Sequence, residues 1–293
     1  MSHRLRALRA SGFFVLLVLA PCVAAQTVTD DAGRSLRLAR PAQRIVSLSP
    51  GITELLFALG AGDRVVAASE FSDYPAAARL LPRVSRAQGI DLEKIAALEP
   101  DLVVVWGSGY PPALQQALQA LDLPTYVYEP STLDSIASSI ERLGALTASA
   151  SAASVAADFR ARLKDLRQRY AQRSPVRAFY QVWGNPIMTL SGRHLVNEVM
   201  RTCGARNVFE TLSPLVATVD IEAVVAAEPQ VIIATEPQAI DRGALDSWRR
   251  FPQLPAVANH HLVTLNADEL DRAAVRILNA ATDLCEQVEQ ARH

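Results

Sequence analysis

What this 293-residue chain lacks narrows its function first. It has no excess of either charge: the formal net charge is −1, with no basic run and no interleaving of basic with aromatic residues. Nucleic acid and charge-driven binding of a polymer are therefore not indicated. No nucleophile elbow, zinc-ligand motif or phosphate-binding loop occurs, which argues against an enzyme. His260 and His261 form the one adjacent histidine pair, and neighbours in or beside a strand point to opposite faces, so they chelate one metal poorly. Long apolar runs are missing too. The most apolar stretch, residues 13–20, falls short of the ~20 residues that cross a bilayer, so the mature chain is expected to be soluble. Cysteine is scarce, with three residues in all.

What is present starts with a processing signal. Arg4, Arg6 and Arg9 precede the apolar stretch, and Val23-Ala24-Ala25 offers small residues for cleavage before Gln26. This order predicts a secretory signal peptide over residues 1–25; the plainer alternative is a start placed too early. Cys22 raises lipid attachment, although Pro21 stands where a lipoprotein signal wants a small residue. Export leaves Cys203 and Cys285 in an oxidising compartment, where an even count suggests a disulfide. Such a bridge would add roughly 4 kcal/mol by closing a long loop; the alternative is two buried thiols.

Half of the residues are hydrophobic and a fifth are charged, enough for a substantial core. Short apolar runs at residues 44–48, 65–68, 102–106 and 125–128 read as strands, and helical patterns at 52–59, 91–98, 112–121 and 131–146 separate them. Continuous apolar strands alternating with helices predict a parallel sheet covered on both faces. Residues 150–173 differ. They hold no glycine or proline, and Phe159, Leu163, Leu166 and Tyr170 recur at helical spacing. A helix of that length runs roughly 35 Å and suits a rigid connector. The pattern then restarts, with strands at 177–182, 230–235 and 261–265 and helices at 194–202, 221–227, 242–251 and 272–289. The reading is an α/β protein of two lobes: an N-terminal lobe over 26–148, a connecting helix over 149–174 and a C-terminal lobe over 175–293.

An internal repeat supports two related lobes. Ile90-Asp-Leu-Glu-Lys-Ile-Ala-Ala-Leu-Glu-Pro-Asp-Leu-Val-Val-Val105 aligns without a gap on Val219-Asp-Ile-Glu-Ala-Val-Val-Ala-Ala-Glu-Pro-Gln-Val-Ile-Ile-Ala234. Asp91 and Asp220 read as helix N-caps. Glu93 and Glu222 fall in the first turns, where the helix dipole favours negative charge. Pro100 and Pro229 end the helices.

Several motifs then fall in the right order for a known family. Ser47-Leu-Ser-Pro-Gly-Ile-Thr-Glu-Leu55, Ser69-Glu-Phe-Ser-Asp-Tyr-Pro75, Gln88-Gly-Ile-Asp-Leu-Glu-Lys-Ile95, Glu99-Pro-Asp-Leu-Val-Val-Val-Trp106, Cys203-Gly204 and Cys285 resemble the periplasmic cobalamin-binding proteins of ABC importers. The likeness runs from about Arg44 to Gln290. It implies two α/β lobes, one connecting helix, a ligand cleft between the lobes and action in the periplasm. It also implies that Glu93 and Glu222, one per lobe, dock onto a homodimeric permease with paired basic sites; plain helix stabilisation is the alternative.

Ligands of open α/β sheets bind beyond the carboxyl ends of the strands. The loops there carry Ser49, Pro50, Phe71, Tyr74, Trp106 and Tyr110 in the first lobe. The second lobe offers Trp183, Glu236, Asp268, Glu269 and Arg272. Aromatic rings give flat apolar contact to a macrocycle; the alternative for each is a half-buried residue at a sheet edge. Two positions depart from the cobalamin pattern: Ala87 stands for a tryptophan, and Glu269 replaces another aromatic. The resemblance implies a corrinoid ligand and no catalytic cofactor. The rival cargoes, haem or a ferric siderophore, would call on Tyr74 or His194 as an axial ligand.

Overall fold

The computed structural model describes residues 25–86, 89–236 and 243–293. The expected signal segment, Cys22 and Ala87 lie outside these residues, apart from Ala25.

Each lobe is built on a four-stranded parallel sheet, and the two sheets share one order. In the first, Ile45–Ser47 lies between Val65–Ala68 and Leu102–Trp106, with Thr125–Tyr128 at the far edge. In the second, Val176–Gln181 takes the place of Ile45–Ser47. Ala205–Asn207 flanks it on one side, and Val231–Glu236 followed by Leu262–Asn266 on the other. The reason for burial on both faces is visible in the strands. Leu102 to Val105 and Val231 to Ala234 are buried without alternation, because helices cover both sides.

The repeated unit holds in three dimensions. Helix Leu92–Ala97 leads to Leu102–Trp106, and helix Ile221–Ala226 leads to Val231–Glu236. Proline disfavours the right-handed helical conformation in the residue before it. Glu99 and Glu228, each just before its proline, are both left-handed, at φ 45° and 43°. One expectation needs correction. Asp91 accepts a bond from the Lys94 amide at 2.9 Å, but Asp220, with a more extended backbone (ψ 153° against 88°), makes no capping bond.

The connecting helix is Ala152–Tyr170, 19 residues or about 28 Å. It is shorter than the pattern suggested. Left-handed Ala148 ends the preceding helix, the Ser149 and Ser151 hydroxyls turn back to the Leu59 carbonyl, and Pro175 bars further helix at the other end. Its buried stripe, Ala156, Phe159, Leu163, Leu166 and Tyr170, belongs to one apolar core that runs without interruption from Ile52 and Leu143 of the first lobe to Val199 and Leu284 of the second. Two smaller cores fill the opposite faces, one per lobe. Arg167 adds a polar tie, bonded to Asp134 at 2.7 Å and to Glu198 at 2.9 Å. Glu198 also accepts from the Leu133 amide at 2.7 Å.

Cys203 and Cys285 are joined in a disulfide that links the end of helix Leu195–Thr202 to helix Ile277–Gln290. The expected helix from Arg272 begins only at Ile277. Left-handed Ala273 separates it from the short helix Ala267–Leu270, and residues 271–276 cross to the first lobe instead. The helix expected over 242–251 is a short 3-10 turn, Asp246–Arg250, with Arg242 outside the described residues. Four sheet features had no counterpart in the pattern. They are the hairpin Gln26–Thr29 with Ser35–Leu38, the short pair Ser85–Arg86 with Gly89–Ile90, the edge strand Ala205–Asn207, and the antiparallel sheet of Trp183–Gly184, Ile187–Leu190 and Val216–Thr218. Their polar alternation or short length hid them. Among the described residues, no helix is long and apolar enough to cross a membrane.

Candidate ligand-binding cleft

The site residues fall into two groups: exposed aromatics on both lobes, called the rim below, and a charged network between the lobes, called the floor. Phe71 follows strand Val65–Ala68 and is 75% exposed, with φ +62°. A bulky residue in that left-handed region is strained, and such strain persists only where the surroundings impose it. Trp106 is the last residue of its strand and is 44% exposed, with Gly109 lying against the face of its ring. From the other lobe Trp183, 58% exposed, is fixed by a bond from its indole Nε1 to the Asn185 carbonyl at 2.9 Å. Tyr74 is half-exposed, and the Arg276 guanidinium lies 3.8 Å from its ring centre, a cation–π contact across the lobes.

The floor is where the second lobe reaches the first. Arg272 holds Asp73 at 2.7 Å and Asp268 at 2.6 Å. Arg276 forks onto both oxygens of Glu54 at 2.7 and 2.8 Å and reaches Glu269 at 3.2 Å. Glu54 is 2% exposed and sits on the helix Pro50–Ala58. Burial raises its carboxyl above the ordinary range, and Arg276 and Arg272 offset only part of that rise. For Asp73 the balance reverses: burial pushes it up, but the Arg272 bond and charge prevail and hold it low. The backbones meet as well. A Cβ at Gly51 would lie 1.8 Å from the Arg272 carbonyl oxygen, so only glycine permits this approach. The Tyr128 hydroxyl donates to the Ala273 carbonyl.

Beside this network, Asp271 is exposed to water on one side but has dense protein around the rest of its carboxyl. That surrounding raises its carboxyl to about 6, against bonds from Thr235 at 2.9 Å and Tyr180 at 3.4 Å that lower it.

Not every expected residue faces the ligand space freely. The Ser49 hydroxyl caps its helix by accepting from Ile52, and Pro50 opens that helix. Tyr110 packs against the first lobe's outer core. Glu236 is buried and accepts from the Ala244 amide at 2.7 Å.

A sequence profile described as "Periplasmic binding protein" matches residues 45–269. The chain belongs to that family. Among its relatives in the periplasmic binding protein family is a vitamin B12-binding protein of Vibrio campbellii. It is 39% identical over 253 residues, which is 86% of this chain and 91% of the relative. One from Vibrio cholerae is 43% identical over 247 residues, 84% of this chain and 88% of the relative. The crystal structure of periplasmic vitamin B12-binding protein BtuF of Vibrio cholerae superposes with a TM-score of 0.78 at 42% identity, covering 86% of this chain and 98% of that one. The haem-binding protein RhuT of Roseiflexus sp. RS-1 has a TM-score of 0.76 at 23% identity and covers 86% and 100%, a likeness of fold alone.

Within this family fold, Glu93 and Glu222 occupy equivalent first turns and both are exposed. His194 caps helix Leu195–Thr202, its Nδ1 accepting from Val196 at 3.2 Å, and burial lowers its pKa, which favours the neutral ring. His260 and His261 join no cluster of metal-ligating side chains among the described residues. Sequence reasoning missed Glu54, Asp73, Asp271 and Arg276. Glu54 carried a signal: it is the one charge in an apolar helix. Arg276 carried another, four residues beyond Arg272.

Proposed function

We propose that this protein is the exported solute-binding component of an ABC importer, and that it captures cobalamin or a close corrinoid in the interlobe cleft. The observation that carries this reading is likeness over nearly the whole mature chain to vitamin B12-binding proteins at 39–43% identity. The exposed aromatics Phe71, Tyr74, Trp106 and Trp183 suit a flat macrocycle. On this reading residues 1–25 are removed on export, and 26–148, 149–174 and 175–293 form the first lobe, connector and second lobe. Phe71, Tyr74, Trp106 and Trp183 grip the ligand faces. Ser49 and Pro50 line the first-lobe side, and Asp268, Glu269 and Arg272 present polar atoms from the second.

The work is capture, not catalysis. The helical connector and shared core permit small lobe adjustments rather than wide closure. The loaded protein docks through Glu93 and Glu222 on a two-fold symmetric permease, and the importer supplies the ATP-driven work. The deciding experiment is calorimetric titration of the mature protein with cobalamin, with haem and a ferric siderophore in parallel. Micromolar or tighter binding of cobalamin alone is expected. Binding of haem or the iron chelate without cobalamin would keep the carrier and replace its cargo.

A further inference from the structure

The floor of the cleft has an unbalanced charge. Two guanidiniums, Arg272 and Arg276, face four carboxylates: Glu54, Asp73, Asp268 and Glu269. Each arginine already holds two of them in direct contact. Both arginines are largely buried, while the side chains of Asp73 and Asp268 are 46% and 31% exposed, so the surplus acidic oxygens are the ones an arriving ligand meets. Asp271 adds a further acidic group beside the network, and Glu269 stands where the cobalamin pattern has an aromatic. A ligand carboxylate arriving at this floor finds no uncommitted guanidinium there. It must displace a protein carboxylate or sit beside one. A primary amide meets the opposite situation, because its N–H groups donate to carboxylate oxygens with spare lone pairs.

We infer that the floor makes the cleft selective for cargo with an uncharged, amide-bearing edge and discriminates against the same cargo bearing carboxylates. This rests on the corrinoid reading and sharpens it. Asp73, Asp268 and Glu269 become specificity determinants, acting through repulsion as well as attraction. The class of cargo is an amidated corrinoid, as distinct from its acid precursors or hydrolysis products and from a tetrapyrrole with free propionates.

The test titrates the mature protein with cobalamin and with the set of its peripheral monocarboxylates, each with one side-chain amide hydrolysed and the shape retained. Cobalamin should bind, and the monocarboxylates whose acid meets the floor should bind about tenfold or more weakly, since like charges placed together across an interface disfavour the wrong partner. Asp73→Asn should narrow that ratio. If this variant fails to fold, the wild type at low and high salt serves instead: discrimination that weakens with salt supports the inference. Cobalamin binding with every monocarboxylate within about twofold of it overturns the inference alone. So does a ratio that neither Asp73→Asn nor salt changes. Failure of cobalamin and all monocarboxylates to bind overturns the corrinoid reading, and this inference falls with it.

Discussion

The two lobes share a sheet order and a helix–strand unit, yet they meet the cleft with different chemistry. The first presents Phe71 on the loop after one strand and Trp106 at the end of another, and it buries one acid, Glu54. The second reaches across with an arginine-rich crossing, residues 268–276, and is cross-linked by Cys203–Cys285. Among the described residues the first lobe has no such link. Scaffold features set by backbone physics persist in both halves, down to the left-handed glutamate before each proline. The loops, free of that constraint, have diverged.

Five variants, in four comparisons, test how unequal the lobes are. The largest effect is expected from Arg276→Ala, which removes the forked partner of buried Glu54 and, among the described residues, leaves it only Arg272 at 4.0 Å; it should cost about 3 kcal/mol in denaturant unfolding. Because Glu54 without Arg276 takes up a proton more readily, that loss should shrink as pH falls; a loss that stays constant would mean the pair does not join the lobes as described. Next, replacing both Cys203 and Cys285 by serine should cost about 2–4 kcal/mol, with hydrogen exchange rising first in helices Leu195–Thr202 and Ile277–Gln290. Equal loss of protection in both lobes would erase the contrast. Third, Asp271 has a folded pKa near 6 against 3.8 for its ordinary value. The folded state therefore binds its proton more tightly, so the ionised group destabilises the fold above pH 6 and that penalty fades as pH falls toward 4. Asp271→Asn should raise neutral-pH stability by about 1 kcal/mol, allowing for its exposure to cleft water, and flatten the pH dependence of the melting temperature between those limits. The smallest effect compares caps: Asp91→Ala should cost about 1 kcal/mol and Asp220→Ala no more than a few tenths, because only Asp91 holds an amide.

The sheets were legible because their strands are apolar throughout: residues 65–68, 102–106 and 125–128 were read to the residue. The disulfide pairing followed from the expectation of export, which would leave Cys203 and Cys285 as the two remaining cysteines. What escaped was non-local or short. Residues 271–276 look helical by composition, and only the left-handed turn at Ala273 sends Arg276 to Glu54, 222 positions away. The cleft rim was visible as aromatics after strands. The floor was visible in part: Asp268, Glu269 and Arg272 were named, but Glu54, Asp73 and Arg276 were not, because the network joins three separate segments across the lobes.

The continuous core around the connecting helix bears on ancestry. Each half buries an apolar face, from Ile52 and Leu143 on one side to Val199 and Leu284 on the other, that a chain of half this length would leave open to water. Exposed faces of that kind drive association. If the repeated unit records a duplication, the half-length ancestor had to cover that face with a second copy of itself. The connecting helix then stands where a subunit interface once was, and fusion turned an encounter between two molecules into a fixed feature of one.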